Sequence, residues 1–265
     1  MNNILVVIRG GGDLATGVAV RLFCAGFKIV ILEIERPTVI RLPVSFARTV
    51  YEGKIVVEDI EAVLVSSWEE AEKIIKLNKV SVLVDPKGSC IKKFSPTVLV
   101  DAILAKRNLG TTINQAPLVI GLGPGFTAGE DVNVVIETER GHNLGRVLYQ
   151  GQAAPDTGIP GEVGGESKRR LLRAPTDGKI IPLHKIGDLV KAGEVIAEVG
   201  EVPLKAEISG VLRGLIYPQS WVTRGMKIGD IDPRGIREYC FTVSDKARSL
   251  GGAVLEAICT YLNKR

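Results

Sequence analysis

The period of the hydrophobic positions changes along this chain. Up to about residue 150, short continuous apolar runs alternate with segments whose apolar residues recur every three or four positions. Ile4-Leu5-Val6-Val7-Ile8 reads as a buried strand. It runs into Gly10-Gly11-Gly12 and then into a helical pattern through Val18, Leu22 and Phe23. A second run, Lys28-Ile29-Val30-Ile31-Leu32, ends at Glu33. Pro37 and Pro43 exclude a helix interior between them. Trp68 to Leu77 reads as an amphipathic helix with Ser66 or Ser67 as its N-cap. Val80 to Val84 is a strand ending at Asp85-Pro86, whereas Thr97 to Leu104 fits strand and helix alike. Pro117 to Leu122 leads into Gly123-Pro124-Gly125, and Val132 to Ile136 reads as a further strand. The alternation predicts an α/β fold over residues 1–150, a Rossmann-like, mostly parallel, doubly wound sheet.

The pattern then breaks. Gly151, Pro155, Gly158, Pro160, Gly161, Gly164 and Gly165 mark 151–170 as a linker or long functional loop. From 171 to 235 the chain reads as short strands with glycine turns, and it repeats itself. Ala174 to Ile180 and Ala206 to Leu212 each lead into a further phrase, Ile186 to Gly193 and Ser220 to Gly225. The duplication resembles the barrel-sandwich hybrid of biotinyl and lipoyl domains, a small all-β module. In such carriers a lysine stands at the tip of the hairpin between the halves. Here Lys205 lies beside Ala206 on a strand and no carrier hairpin appears, so covalent biotin or lipoate is not expected. Residues 236–265 hold a C-terminal helix, with Ser244 as N-cap and Asp245 in the first turn. Gly251-Gly252 inside it costs about 2 kcal/mol relative to alanines, which a close helix crossing would justify.

Composition narrows the function classes. At 265 residues the chain can bury two cores. No apolar run approaches the roughly 18 residues of a membrane span, and no basic segment precedes the first strand, so a cytoplasmic protein is expected. The net charge is +4, yet only Lys168-Arg169-Arg170 with Arg173 forms a basic cluster, which argues against nucleic acid as a partner. Four cysteines without a CxxC pair and only two histidines indicate neither a metal site nor a disulfide framework.

The sharpest chemical signal is the strand–glycine turn–helix order, which aims backbone N–H groups and a helix dipole at one point. Gly10-x-Gly12-x-x-Ala15 fits a dinucleotide fingerprint, with Gly11 and Asp13 in the same turn. Glu33 stands 23 residues beyond Gly10, about where an acid meets a ribose hydroxyl. Asp13 is a departure, because a carboxylate there repels phosphate unless it turns away or binds a cation. Asp85 at a strand's carboxyl end, Gly123 and Gly125 in a second glycine turn, and Arg146 complete the expected cofactor-binding set. Cys90, between Lys87 and Lys92, is a candidate for a lowered thiol pKa. Glu137 to Arg146 gathers two carboxylates, two guanidiniums and a histidine. Arg140 and Arg146 can grip an anion, and His142 can move a proton. Arg140, His142 and Cys90 are the catalytic candidates. Thr111 to Gln115 is a candidate ligand-facing loop, and His184 reads as a surface residue without an acidic partner. Each feature has a structural reading too: close helix–strand packing for the glycines, a turn for Asp85, an inert thiol for Cys90, and a solvated hairpin tip for 137–146.

Six phrases occur in order: Arg9 to Gly17, Gly121 to Phe126, Glu137 to Arg146, Gly158 to Gly161, Lys227 to Arg234 and Ser244 to Ala247. Together they resemble the YqeB-type accessory proteins of selenium-dependent molybdenum hydroxylase systems, over nearly the whole chain. The resemblance implies a bacterial maturation factor for such a hydroxylase, similar in its Rossmann-like part to chaperones of the xanthine dehydrogenase system. The implied ligand bears phosphate, as NAD(P) or the molybdenum-pterin cofactor. The implied partners are the hydroxylase or its maturation proteins, and a homo-oligomer is left open. The residues also admit an NAD(P)-dependent oxidoreductase, a selenium or sulfur transferase working through Cys90, and a non-catalytic scaffold with a vestigial nucleotide site.

Overall fold

The computed structural model describes residues 4–264, which form two compact units. The first comprises residues up to Pro37, Ser45–Thr157 and the chain from Val243 on; the second comprises Thr38–Val44 and Gly158–Thr242.

In the first unit, β1 (Leu5–Arg9), α1 (Asp13–Cys24) and β2 (Lys28–Glu33) come first. Then follow α2 (Thr49–Glu52), β3 (Lys54–Val57), β4 (Ile60–Val65), α3 (Trp68–Lys76) and β5 (Val80–Val84). After these come α4 (Ile91–Phe94), β6 (Val98–Asp101), β7 (Leu118–Leu122), β8 (Thr127–Ala128), β9 (Val134–Ile136), β10 (Val147–Leu148) and β11 (Gly151–Gln152). Nine strands form one sheet in the order β10-β9-β7-β6-β1-β2-β5-β4-β3. The seven inner strands run parallel. Val6, Val7 and Ile8 in β1 and Val98, Leu99 and Val100 in β6 have no exposed surface, as expected of strands covered on both faces. Pairing with β1 and β7 makes 98–101 a strand, so the ambiguous apolar run from Thr97 is settled by its neighbours.

Helix ends follow local chemistry. The Ser67 hydroxyl accepts the Glu70 N–H, and the Glu70 carboxylate returns to the Ser66 N–H, which fixes the start of α3. The Ser244 hydroxyl accepts the Ala247 N–H and starts α5 (Asp245–Asn263). This helix packs along α1 within the first unit.

The second unit contains β12 (Leu171–Arg173), β13 (Gly178–Pro182), β14 (Leu189–Val190), β15 (Val195–Val199), β16 (Val202–Lys205), β17 (Gly210–Leu215), β18 (Trp221–Val222) and β19 (Lys227–Asp232). They make two four-stranded antiparallel sheets, β12-β19-β17-β14 and β16-β15-β13-β18. Ile180, Ile196, Val199, Leu212, Val222, Ile228 and Ile231 are fully buried in its core. The repeat has a steric basis at Gly178 and Gly210, which open β13 and β17. A Cβ on either would run into backbone, of Gly200 in the first case and of Asp232 in the second.

The expected fold class is corrected in three respects. The large sheet is mixed, because β3 and β10 pair antiparallel at its two edges. The β3–β4 hairpin turns through Glu58 and Asp59, both at positive φ (47° and 67°), and β3 alternates exposed and buried residues as an edge strand does. The sheet is not evenly wound: β6 reaches β7 through a short 3-10 turn at Ile113–Gln115, and β7 reaches β9 by way of β8, without a helix. The β-rich part is not a self-contained tail module, since it takes in Thr38–Val44 and returns the chain to the first unit. Among the described residues, no helix is long and apolar enough to cross a membrane.

Candidate functional site

The glycine turn after β1 is used by the protein itself. The Gly10 N–H donates to the Leu32 carbonyl at 2.8 Å. The Gly11 N–H donates to Glu33 Oε2 at 2.7 Å, and Glu33 Oε1 accepts the Ile34 N–H at 2.7 Å. The Ala47 N–H donates to the Gly11 carbonyl, and a Cβ on Gly11 would lie 2.8 Å from the Ala47 nitrogen. Thr16 Oγ1 accepts the Phe46 N–H, so the 45–48 segment lies over the turn. Gly10, at φ +89°, backs onto the Ala102 carbonyl. Gly11, in the turn expected to bind cofactor, and Glu33, the expected ribose acid, are therefore bonded to each other. Burial pushes the Glu33 carboxyl pKa up, against the two N–H bonds that pull it down. Gly12 is the N-cap of α1, Asp13 its first residue, and Ala15 is buried in its first turn.

Beside the turn lies a buried ionic network that the sequence reading did not single out. The Arg9 guanidinium donates to Thr111 Oγ1, to Asp101 Oδ2 at 3.4 Å, and to the Pro86 and Leu109 carbonyls. Thr111 Oγ1 donates to Asp101 Oδ2, whose partner oxygen accepts the Ile103 N–H. Thr111 thus faces inward, and Thr112 and Gln115 close a capping box on the 3-10 turn. Asp85 accepts the Cys90 N–H at 2.7 Å. A Cβ on Gly123 would meet the Thr138 hydroxyl at 2.7 Å, and one on Gly125 the Arg107 backbone at 2.6 Å. The second glycine turn is shaped by those contacts.

The three catalytic candidates are not brought together. Cys90 follows β5, whereas Arg140 and His142 follow β9, five strand positions away in the sheet. At 4.7–4.9 Å per strand that is about 24 Å. Burial and the neighbouring Asp85 push the Cys90 thiol pKa up, the opposite of an activated thiolate. His142 and Arg146 are exposed. His184 does have acidic neighbours, Glu194 at 3.3 Å and Asp188 at 3.7 Å, contrary to the sequence reading.

The structure does assemble the loop after β9 with the start of α5. The Glu137 carboxylate accepts the Glu139 and Ala154 N–H groups and so anchors the loop. Arg140 grips Asp245 with two hydrogen bonds, at 2.8 and 3.1 Å. Ser249 Oγ donates to the Leu144 carbonyl, and a Cβ on Gly145 would lie 2.6 Å from that hydroxyl. The loop is clamped on both sides of Lys246. Helices α1 and α5 run parallel. A Cβ on Gly17 would meet Ala247 at 2.6 Å, and one on Gly251 would meet the Gly17 carbonyl and Arg21 at 2.8 Å. Both N-termini therefore point the same way, at the carboxyl end of the sheet. Burial lowers the Lys246 ammonium pKa and Arg140 lowers it further, while Asp13, Glu137 and Asp245 pull the other way. The sequence carried one sign of this group. A lysine in the first turn of a helix opposes the helix dipole, and the chain places one there regardless.

No family model matches the chain. The uncharacterized protein YqeB of Escherichia coli (strain K12) is 51% identical over 260 residues, 98% of this chain and 48% of that protein. The chain thus spans about half the length of the curated relative it matches. Among solved structures, a succinylglutamate desuccinylase from Silicibacter sp. is 13% identical over 86% of this chain and 84% of its own, with a TM-score of 0.26. The product-bound ectoine utilization protein EutE (DoeB) from Ruegeria pomeroyi is 10% identical over 86% of this chain and 57% of its own, with a TM-score of 0.24. At those scores neither lends its fold or chemistry to this chain. With the fingerprint bonded internally, the expectation of a phosphate-binding accessory protein for a selenium-dependent molybdenum hydroxylase is overturned. Its oxidoreductase variant falls with the fingerprint, and its Cys90 transferase variant with the raised pKa of that thiol.

Proposed function

For this YqeB-type chain, we propose that the first unit is a catalytic domain whose working group is the amine of Lys246, acting on a small carbonyl compound that bears a carboxylate. The observation that carries this reading is the setting of Lys246, a partly buried lysine at two adjacent helix N-termini beside the Arg140–Asp245 pair, where burial lowers its pKa. A lysine desolvated next to another cationic group is the arrangement that frees an amine lone pair for attack on a carbonyl. The neutral amine adds to the carbonyl carbon, and loss of one water leaves a C=N bond to Nζ. Asp13, in the first turn of α1, is the carboxylate suited to take and return the proton. Arg146 and His142, exposed on the same loop as Arg140, are the side chains that would meet the substrate carboxylate together with the two helix ends.

The test is reductive trapping. The chain is incubated with a panel of 2-oxo acids and cyanoborohydride, and adducts are mapped by peptide mass spectrometry. The expected result is a reduced adduct on Lys246, lost in Lys246→Met. Adducts spread over exposed lysines, with none at Lys246, would overturn the reading.

A further inference from the structure

The basic cluster near residue 170 has no part in the Lys246 site. It lines a cleft of about 280 Å³ within the second unit. Lys168, Arg169 and Arg173 stand on the β12 side, and Lys205 and Glu207 on the β16 side. Buried leucines, among them Leu172 and Leu204, line it between the two. β12 and β16 are each the edge strand of a different sheet, so the cleft opens where neither sheet continues.

The four cations are not equally committed. Arg169 is paired with Glu166, and Arg173 donates to the Gly225 carbonyl at 2.9 Å, which holds its guanidinium in place. Arg170 points elsewhere and bonds Asp230. Lys168 and Lys205 have no ion pair among the described residues, and both are exposed. Two uncommitted ammonium groups, one on each side of the cleft, and a fixed guanidinium therefore face it, with one carboxylate, Glu207, as counterweight. Charge with no internal partner, set on both sides of a cleft, is the make-up of a site for a ligand that carries more than one negative charge.

We propose that this cleft binds a small organic dianion: two separated negative charges carried on one compact body. The volume suits a compact ligand, below the usual range for drug-sized molecules. Glu207 repels further negative charge, which disfavours polyphosphates and nucleic acid. Lys168 and Lys205 stand on opposite sides of the cleft, so two separated charges on one body meet both, which a bare inorganic ion does not. This site is independent of Lys246.

Titration calorimetry on the full chain tests it, with isophthalate and glutarate as dianions on apolar bodies. Benzoate, sulfate and a pentaglutamate peptide serve as comparisons, at about 50 and 300 mM salt. Isophthalate is expected to bind at least about tenfold more tightly than benzoate or sulfate, and to weaken at the higher salt. The double variant Lys168→Ala/Lys205→Ala changes only exposed side chains, so it should keep the native circular dichroism and lose at least about tenfold in affinity. Lys246→Met should bind as the parent does. Absence of binding by both dicarboxylates, equal affinity for sulfate, tighter binding of pentaglutamate, or an unaffected double variant would each overturn the proposal.

Discussion

Gly251 and Gly252 are adjacent in one helix, and the structure gives them opposite roles. A Cβ on Gly252 meets nothing within 4 Å. Gly252→Ala should therefore gain the ordinary helix-interior difference, about 0.5–1 kcal/mol. A Cβ on Gly251 would lie 2.8 Å from the Gly17 carbonyl oxygen and 2.8 Å from Arg21 Cβ. Neither neighbour can rotate away, since one is backbone and the other is the root of its side chain. A carbon–oxygen contact normally needs about 3.3 Å, so α1 and α5 must part by about half an ångström. Overpacking of that kind costs about 1–3 kcal/mol. Set against the propensity gain, Gly251→Ala should be neutral to about 2 kcal/mol destabilised. The two variants should then differ by about 1–3 kcal/mol, with Gly251→Ala the weaker. Urea unfolding followed by far-ultraviolet circular dichroism reads the difference. In a thermal melt it corresponds to about 2–4 °C per kcal/mol for a unit of this size. Equal stabilisation by both alanines would refute the close crossing, and with it the alignment that brings Lys246 to the end of α1.

Further tests address the other buried groups. Asp101→Ala should cost about 3–5 kcal/mol in chemical denaturation, because it leaves the Arg9 guanidinium buried without its carboxylate; a loss under about 1 kcal/mol would show that Arg9 escapes to water. The Lys246 pKa is lowered in the folded state, so between that value and its ordinary 10.5 the unfolded chain binds more protons and stability rises with pH. Lys246→Met should therefore melt higher than the parent near pH 7, with the gain shrinking as pH climbs toward 10; a constant gap across that range would argue against a desolvated amine. Cys24 is exposed whereas the Cys90 thiol pKa is raised, so a disulfide-exchange reagent at pH 7 should modify Cys24 first and Cys90 slowly. Rapid labelling of Cys90 would contradict its assigned environment.

Much of the first unit is legible in the sequence because its signals are local. The apolar runs of β1, β2 and β5 and the serine caps of α3 and α5 each depend on a few adjacent residues. The β3–β4 hairpin escapes such a reading because its turn uses Glu58-Asp59, residues that do not announce a positive φ as Asn-Gly would. The glycine fingerprint misleads for a different reason. The spacing from Gly10 to Ala15 records that the backbone must come close to something, and says nothing about what. Here the partners are Glu33, Ala47 and Ala102, supplied by segments that only folding brings near. The same limit hides the Arg9–Asp101–Thr111 network, which joins residues about a hundred positions apart. Lys246 was in plain view and unremarkable until α1, α5 and the loop after β9 met around it.

The packing of α5 on α1 has a consequence for how the chain is made. During synthesis β1 and α1 leave the ribosome about 220 residues before the helix that covers α1. The face of α1 around Gly17 and Val18, buried in the folded unit, must wait for it through the translation of everything between the two helices. Residues 158–242 are complete before that, so the second unit has the chance to fold while the first still has an open seam. The nascent first unit is therefore a natural client for chaperones, and the arrival of Leu250, Val254 and Ile258 is the event that closes it.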